Sequence, residues 1–101
     1  MADFIYLMHN DEISPASGTA DDGWYVYIEK LKANGCFRGG SEVGHGKCVR
    51  KELEAPEIYQ RLVGYICIEA ASLAEAEAKL EGNPVYEAGG TVEIRELPRS
   101  S

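Results

Sequence analysis

The chain has 101 residues, the length of one domain, and we expect residues 1–101 to fold as a single unit. Its formal charge of −7 argues against nucleic acid or an anionic membrane surface as the main partner, because phosphate binding requires a basic face. No apolar run is long enough to span a bilayer, and three cysteines without C-x-x-C spacing indicate reduced thiols, so we expect a cytoplasmic protein.

The N-terminal third of the chain predicts a strand followed by a helix. Residues 4–9 form an apolar run of strand length, and residues 10–22 are rich in Ser, Pro, Gly and Asp, which favours a loop. Asp21 or Asp22 can cap a helix that Gly35 stops. Three apolar side chains at i, i+4 and i+7 predict its buried stripe: Trp24, Ile28 and Leu31.

The middle of the chain predicts β-structure. Residues 36–40 and 47–52 are predicted as two short strands around the turn at 41–46. An irregular connection follows them, and residues 62–70 give the strongest strand signal in the chain.

The last third predicts a helix, a loop and a strand. Ser72 and Glu75 form a capping box that opens a helix through Leu80. Pro84 is predicted to stop the helix, and the Gly89-Gly90 pair lets the loop 84–90 turn sharply before an alternating strand at 91–97. The inner face of the helix is predicted to consist of Leu73, Ala76 and Leu80.

The resulting order is β-α-β-β-β-α-β. Without the short strand at 47–52 it is the split β-α-β arrangement, so the predicted fold class is α+β and ferredoxin-like. Right-handed crossovers then put both helices on one face of an antiparallel sheet.

The strands at 4–9 and 62–68 are apolar on both sides, although two helices can cover only one face of the sheet. We therefore expect a homodimer in which a second copy packs on the other face. The alternative is that Tyr6, Met8 and Tyr65 are tolerated on a partly wet surface.

This topology brings several side chains to one edge of the sheet, where a ligand pocket is expected. His9 is the candidate general base, and the alternative for it is a half-exposed strand terminus. Tyr65 and Tyr86 are further candidates for ligand contact. The alternative for Tyr65 is packing in the dimer, and the alternative for Trp24 is packing in the core. The converging set is His9, Asn10, Trp24, His45, Asn83 and the loop 84–90.

Neither a metal nor a cofactor is expected. His9 and His45 have no neighbour at metal-ligand spacing. The glycines at 39–46 are spaced wrongly for a phosphate loop, and Cys48 stands where Mg²⁺ binding needs a hydroxyl group.

Three stretches resemble the YCII-related family, which includes the DGPF-type proteins: "NGCFRGGSEV", "LVGYICIEAASLAEAEAKLEGNPV" and "EAGGTVEIRELP". The resemblance implies a ferredoxin-like fold that dimerises through its sheet, as dimeric α/β barrels do. Proposed enzymes of the family carry a His in the first helix and an Asp before the Pro that follows the second. These positions fall on Trp24 and Asn83, which do not transfer protons in that way, and residues 52–55 replace the Asp-Gly-Pro-Phe motif.

Two functions of different class follow. The first is a small-molecule pocket at the sheet edge, contacted by His9, Trp24, Asn83, Tyr65 and Tyr86. The alternative is a non-catalytic interaction module whose dimer is the functional product. The sequence leaves open whether the protein is an enzyme.

Overall fold

The computed structural model describes residues 2–9, 20–55 and 62–98. These residues form four strands: β1 (Ala2–His9), β2 (Phe37–Glu42), β3 (Leu62–Ala70) and β4 (Val92–Leu97). They also form three helices: α1 (Ala20–Ala33), α2 (Leu73–Ala78) and α3 (Pro84–Glu87). Asn10, most of the predicted loop at 10–22 and the end of the connection before β3 lie outside the described residues.

The strands form one antiparallel sheet in the order β2-β3-β1-β4. The central strand β1 pairs with β3 and β4 so that Tyr6 lies between Ile66 and Ile94. The predicted α+β, ferredoxin-like fold is confirmed, with a third helix that the sequence did not predict.

One face of the sheet packs against the helices. Phe4, Tyr6 and Met8 alternate along β1 and are buried there, together with Ile66 and Ile68 of β3. The interpretation of Tyr6 and Met8 as wet surface residues was wrong, because both lie beneath the helices. The opposite face, which we call the open face, carries Ile5 and Leu7 of β1 beside Tyr65 and Cys67 of β3, all half-buried.

Helix α1 begins two or three residues earlier than the predicted cap at Asp21 or Asp22 implies. It starts at Ala20, so Asp21 and Asp22 lie in its first turn and are not its cap. Leu31 is buried as predicted, but the stripe also includes Tyr27, which is only 1% exposed and was missed. The helix ends at a glycine as predicted, since Gly35 adopts a φ of 72°.

The predicted strand at 47–52 does not form. Residues 43–55 have no regular secondary structure and are almost entirely exposed. Residues 47–52 place charged side chains on both sides of a strand, Lys47 and Lys51 on one and Arg50 and Glu52 on the other, so the segment has no apolar face to bury against a sheet.

Helix α2 opens at the predicted capping box, where the Ser72 hydroxyl accepts from the Glu75 backbone N–H at 3.2 Å. The helix ends at Ala78, two residues before the predicted end. Ala76 and Leu80 are buried as expected, whereas Leu73 is 56% exposed because the first turn of the helix extends into solvent.

Three donors from other elements satisfy backbone carbonyls at the C-terminal end of α2. The Tyr6 hydroxyl donates to Ala76 O, and the Tyr27 hydroxyl donates to Lys79 O at 2.8 Å. Lys30 Nζ reaches Glu81 O at 3.1 Å. Ala76 lies in the last turn of α2, and Lys79 and Glu81 follow it, so the bonds from β1 and α1 replace intrahelical donors that are missing at a helix end.

Helix α3 is a correction to the predicted loop at 84–90. Pro84 begins this helix at its first position, where the missing N–H and the fixed φ of proline are favourable. Gly89 has a φ of 86°, which confirms the predicted sharp turn before β4. No helix in the described part of the chain is long and apolar enough to cross a bilayer.

We expect Tyr27→Phe to lower the free energy of unfolding by about 1–3 kcal/mol, because it leaves the Lys79 carbonyl without its buried donor. Urea denaturation measures the change. Tyr25→Phe is the matched control, since Tyr25 lies on the same helix and is 69% exposed. Equal stability of the two variants would show that the hydroxyl is dispensable.

Candidate functional site

Three of the elements that were expected to converge meet at one end of the sheet. The Asn83 side-chain amide lies next to Met8, with Nδ2 donating to Sδ at 3.6 Å. Gly23 of α1 packs so closely on α3 that a Cβ atom there would lie 3.4 Å from Pro84 Cγ. The end of β1, the start of α1 and the start of α3 therefore meet at this end, which we call the His9 end.

His9 closes β1 on the open face. Its backbone N–H donates to Thr91 O at 3.0 Å, which ties the end of β1 to the entry of β4. Its imidazole Nε2 lies 3.4 Å from Glu93 Oε1, and the two side chains are 14% and 24% exposed. The strand register explains this contact, because Glu93 lies opposite Leu7 on the same face of the sheet.

Arg95 holds the other oxygen of this carboxylate, with Nε 2.6 Å from Glu93 Oε2. The hydrogen bond and charge of Arg95, with a smaller effect of His9, hold the pKa of Glu93 below its usual range. Glu93 is therefore ionised at neutral pH and can orient the imidazole. The sequence predicted only that Glu93 and Arg95 share one side of an alternating strand, and it missed their partnership with His9.

Trp24 lies near the start of α1 and is half-buried. Its ring packs edge-on against Tyr27, with ring centroids 6.3 Å apart and an interplanar angle of 69°. Trp24 thus offers one partly accessible aromatic surface close to the His9 end.

Asn83 is fully buried and its amide is engaged by the protein itself. The side-chain carbonyl Oδ1 accepts from Val85 N at 3.0 Å and from Tyr86 N at 3.1 Å, which caps α3. With Nδ2 directed at Met8, this side chain shapes the wall between the sheet and the helices.

The remaining candidates lie elsewhere. Tyr65 is on the open face, opposite Leu7. Tyr86 is 46% exposed on the outer side of the helical layer, where it lines a groove of about 470 Å³. His45 is exposed in the segment 43–55. The other residues lining this groove are Ala74, Glu77, Ala78 and Glu81, so none of the other candidates contributes to it.

The cysteines show no sign of reactivity as a group. Cys36 is buried, Cys48 is exposed, Cys67 is half-buried, and all three are free thiols. Burial, with the charge of Asp3, raises the pKa of Cys67, which disfavours the nucleophilic thiolate. Among residues 2–9, 20–55 and 62–98, no three His, Cys, Asp or Glu side chains are grouped closely enough to hold a metal ion.

The fold and this geometry define a ferredoxin-like α+β domain with a partly apolar open face and a His–Glu–Arg cluster at one end of it. No family model matches the chain, and no curated protein matches its sequence. A solved structure is similar over nearly the whole length: 5-chloro-2-hydroxyhydroquinone dehydrochlorinase (TftG) from Burkholderia phenoliruptrix AC1100, in complex with 2,5-dihydroxybenzoquinone. The TM-score is 0.55 with 19% identity, covering 99% of this chain and 96% of TftG. A likeness at this identity establishes a shared fold.

We expect Arg95→Gln to raise the pKa of Glu93 towards that of an ordinary carboxyl group. A depressed carboxyl pKa adds stability that is present above the unfolded-state pKa and is lost as the pH falls through the folded-state value. The variant should lose this acid-side dependence. Side-chain carboxyl NMR titration measures the shift, and Arg38→Gln is the control because Arg38 pairs with Glu69. An unshifted Glu93 in Arg95→Gln would contradict the assignment.

Proposed function

We propose that this protein is a YCII-related homodimer that binds a small molecule at the His9 end of the sheet. One observation carries the proposal: an imidazole only 14% exposed is held against a carboxylate that is itself held by Arg95. A histidine oriented in this way suits hydrogen bonding to a ligand. It also suits proton transfer where the ligand offers a suitable group.

The ligand class that we propose is a small hydroxylated ring compound. The similar fold of TftG was solved with 2,5-dihydroxybenzoquinone, a compact planar ring with polar oxygens. Trp24 offers a flat apolar surface on the helical side of the His9 end, and the imidazole offers a polar partner for a ring oxygen on the open face. A ring that contacts both would lie across the end of the sheet.

The proposed roles of the candidates differ. His9 would contact the ligand directly, and Trp24 would form a wall. Asn83 would act through the wall that it supports, because its amide already bonds to α3 and Met8. We propose that Tyr65 serves the dimer first and reaches the ligand from the open face, whereas Tyr86 contributes at the outer groove.

We propose that a second copy covers the open face. Ile5 and Leu7 lie beside Tyr65 and Cys67 there, so a continuous apolar strip runs across the two central strands. Ion pairs occupy opposite corners of this face, Arg38 with Glu69 and Arg95 with Glu93. An apolar centre with a charged rim is the usual anatomy of a protein interface. The three free thiols support a working location in the reducing cytoplasm.

A second candidate is the non-catalytic interaction module. It is favoured by Asn83, which is fully buried and has no exposed surface to offer a ligand. In that case the dimer would form without any ring compound binding near His9.

We expect 2,5-dihydroxybenzoquinone to raise the melting temperature of the wild-type protein. His9→Ala should melt near the wild type but bind the ring up to about tenfold more weakly, since a hydrogen bond contributes about 0.5–1.5 kcal/mol. Titration calorimetry measures the affinity. His45→Ala is the matched control, because His45 is exposed and lies outside the cluster. If His9→Ala and His45→Ala bind the ring with equal affinity, His9 is not part of the site. If the wild type does not bind the ring, the interaction module is favoured.

We expect sedimentation to show a dimer at micromolar concentration and Leu7→Arg to convert it to a monomer, because the change buries an unpaired charge at the centre of the interface. Leu73→Arg is the matched control, since Leu73 is 56% exposed on α2. A wild-type chain that sediments as a monomer would overturn the dimer, and so would a dimer unaffected by Leu7→Arg.

A further inference from the structure

Strand β4 forms one edge of the sheet, and no strand of the described chain pairs with its outer side. The hydrogen bond from His9 N to Thr91 O shows which residues of this segment face β1. Bonded and non-bonded pairs alternate along an antiparallel ladder, so Glu93 and Arg95 direct their backbone N–H and C=O groups towards β1. The residues that direct these groups outward are Val92, Ile94 and Glu96.

The β4 edge carries neither a bulge nor a proline within the strand, which are two of the features that keep edge strands unpaired. Its register with β1 runs without a shift to Leu97. The other edge strand, β2, has a register shift between Phe37 and Gly40. A bulge bends a strand and increases its twist, which hinders pairing with a further strand. We therefore expect a partner strand at β4 and not at β2.

The charged side chains of β4 select the partner strand. Two copies of β4 can pair antiparallel only if outward-facing residues lie opposite one another, so the two-fold axis passes through a residue of the strand. An axis through Glu93 or through Arg95 puts two like charges directly opposite each other, which is destabilising. An axis through Ile94 instead places Glu93 opposite Arg95 of the second copy, twice over. The strand is therefore complementary to itself in this register.

The register centred on Ile94 also satisfies the outward backbone groups. Ile94 exchanges both of its hydrogen bonds with Ile94 of the second copy, and Val92 does the same with Glu96. On the open face, Glu93 and Arg95 of the two copies form non-bonded pairs, in which side chains approach each other most closely.

This ladder has defined ends. The next pair would join Gly90 with Pro98, but Gly90 N–H already donates to Val85 O at 2.8 Å and Pro98 has no N–H. A contact of this size lies at the low end of protein interfaces, so we expect a dissociation constant of about 0.2 mM. The edge contact therefore forms well above the micromolar concentration at which the open-face dimer is expected.

Arg95 has donors for both carboxylates. Its Nε lies 2.6 Å from Glu93 Oε2 of the same chain, and its side chain is 67% exposed. A guanidinium group carries five N–H donors in a fork, so its terminal nitrogens can bond Glu93 of a second copy. Glu93 also holds the His9 imidazole, with Oε1 3.4 Å from Nε2.

We propose that two copies of the chain pair antiparallel through β4 into one continuous sheet, with Ile94 on the two-fold axis. The second copy then adds its Arg95 to the carboxylate that orients His9. The β4 edge is distinct from the open face, so this contact joins either single chains or the open-face dimers, and it does not depend on those dimers.

Amide exchange tests the register. The outward N–H groups of Val92, Ile94 and Glu96 exchange with water in the unpaired chain and are protected in the pair. We expect their exchange, measured by NMR, to slow about threefold between about 50 µM and about 1 mM protein, as the dissociation constant of about 0.2 mM requires. Glu42 N–H is the control within the same molecule, because it points outward at the β2 edge.

Charge-reversed chains test the axis. Glu93→Arg and Arg95→Glu each put like charges opposite each other, so each chain alone should lose the dependence on concentration. An equal mixture of the two chains restores both cross-strand pairs and should recover it. Leu7→Arg should keep the dependence, because Leu7 lies on the open face and not at the β4 edge.

The edge pair is overturned if exchange at the three β4 amides does not depend on concentration, or if Glu42 slows equally. A mixture that behaves like the single variants overturns it as well. Loss of the protection in Leu7→Arg would assign the β4 contact to the open-face dimer and also overturn the edge pair. The open-face dimer is judged by its sedimentation at micromolar concentration, so either interface can fail while the other stands.

Discussion

The short helix α2 can end inside the fold because tyrosine hydroxyls from two other elements take over its free carbonyls. Tyr6 extends from the central strand β1 and Tyr27 from α1, so these two hydrogen bonds connect β1 and α1 to α2. Burial raises the pKa of Tyr27 to about 12, and burial raises the pKa of Tyr6 further. Both hydroxyls therefore stay protonated and act as permanent donors, and a buried carbonyl without such a donor would be costly.

This arrangement also determines what lies at the His9 end. Because α2 stops at its tyrosine-capped turn, the chain is free to begin α3 at once, and Asn83 is the residue that caps it. Asn83 then lies against Met8 beneath the sheet, so the position that the family resemblance associates with a proton-transferring Asp is occupied by a residue that holds the fold. The titratable pair in contact at this end lies on the open face, where His9 meets Glu93.

The strands could be predicted from their pattern, because alternation and two-sided apolar runs are local properties of β1 and β3. The pair His9–Glu93 could not, since it depends on the register between strands that are distant in sequence. Tyr27 was missed because three other residues already completed a helical stripe. Helix α3 has four residues, too few to show a period, and Pro84 is found both after helices and at their first position. The strand predicted at 47–52 did not form because charged residues fall on both of its sides.

The proposed dimer and the His9 contact of the proposed ligand site share one strand face. Leu7 and His9 are neighbours on the open face of β1, and Glu93 lies opposite Leu7 on β4. Exposed ion pairs add little stability by themselves. The contribution of Glu93 and Arg95 at this corner is therefore to orient the His9 imidazole. A copy that covers Leu7 also reduces the water around the imidazole and strengthens its interaction with Glu93. Ligand binding and dimerisation at this corner would then be linked, and by thermodynamic reciprocity each would favour the other by the same factor.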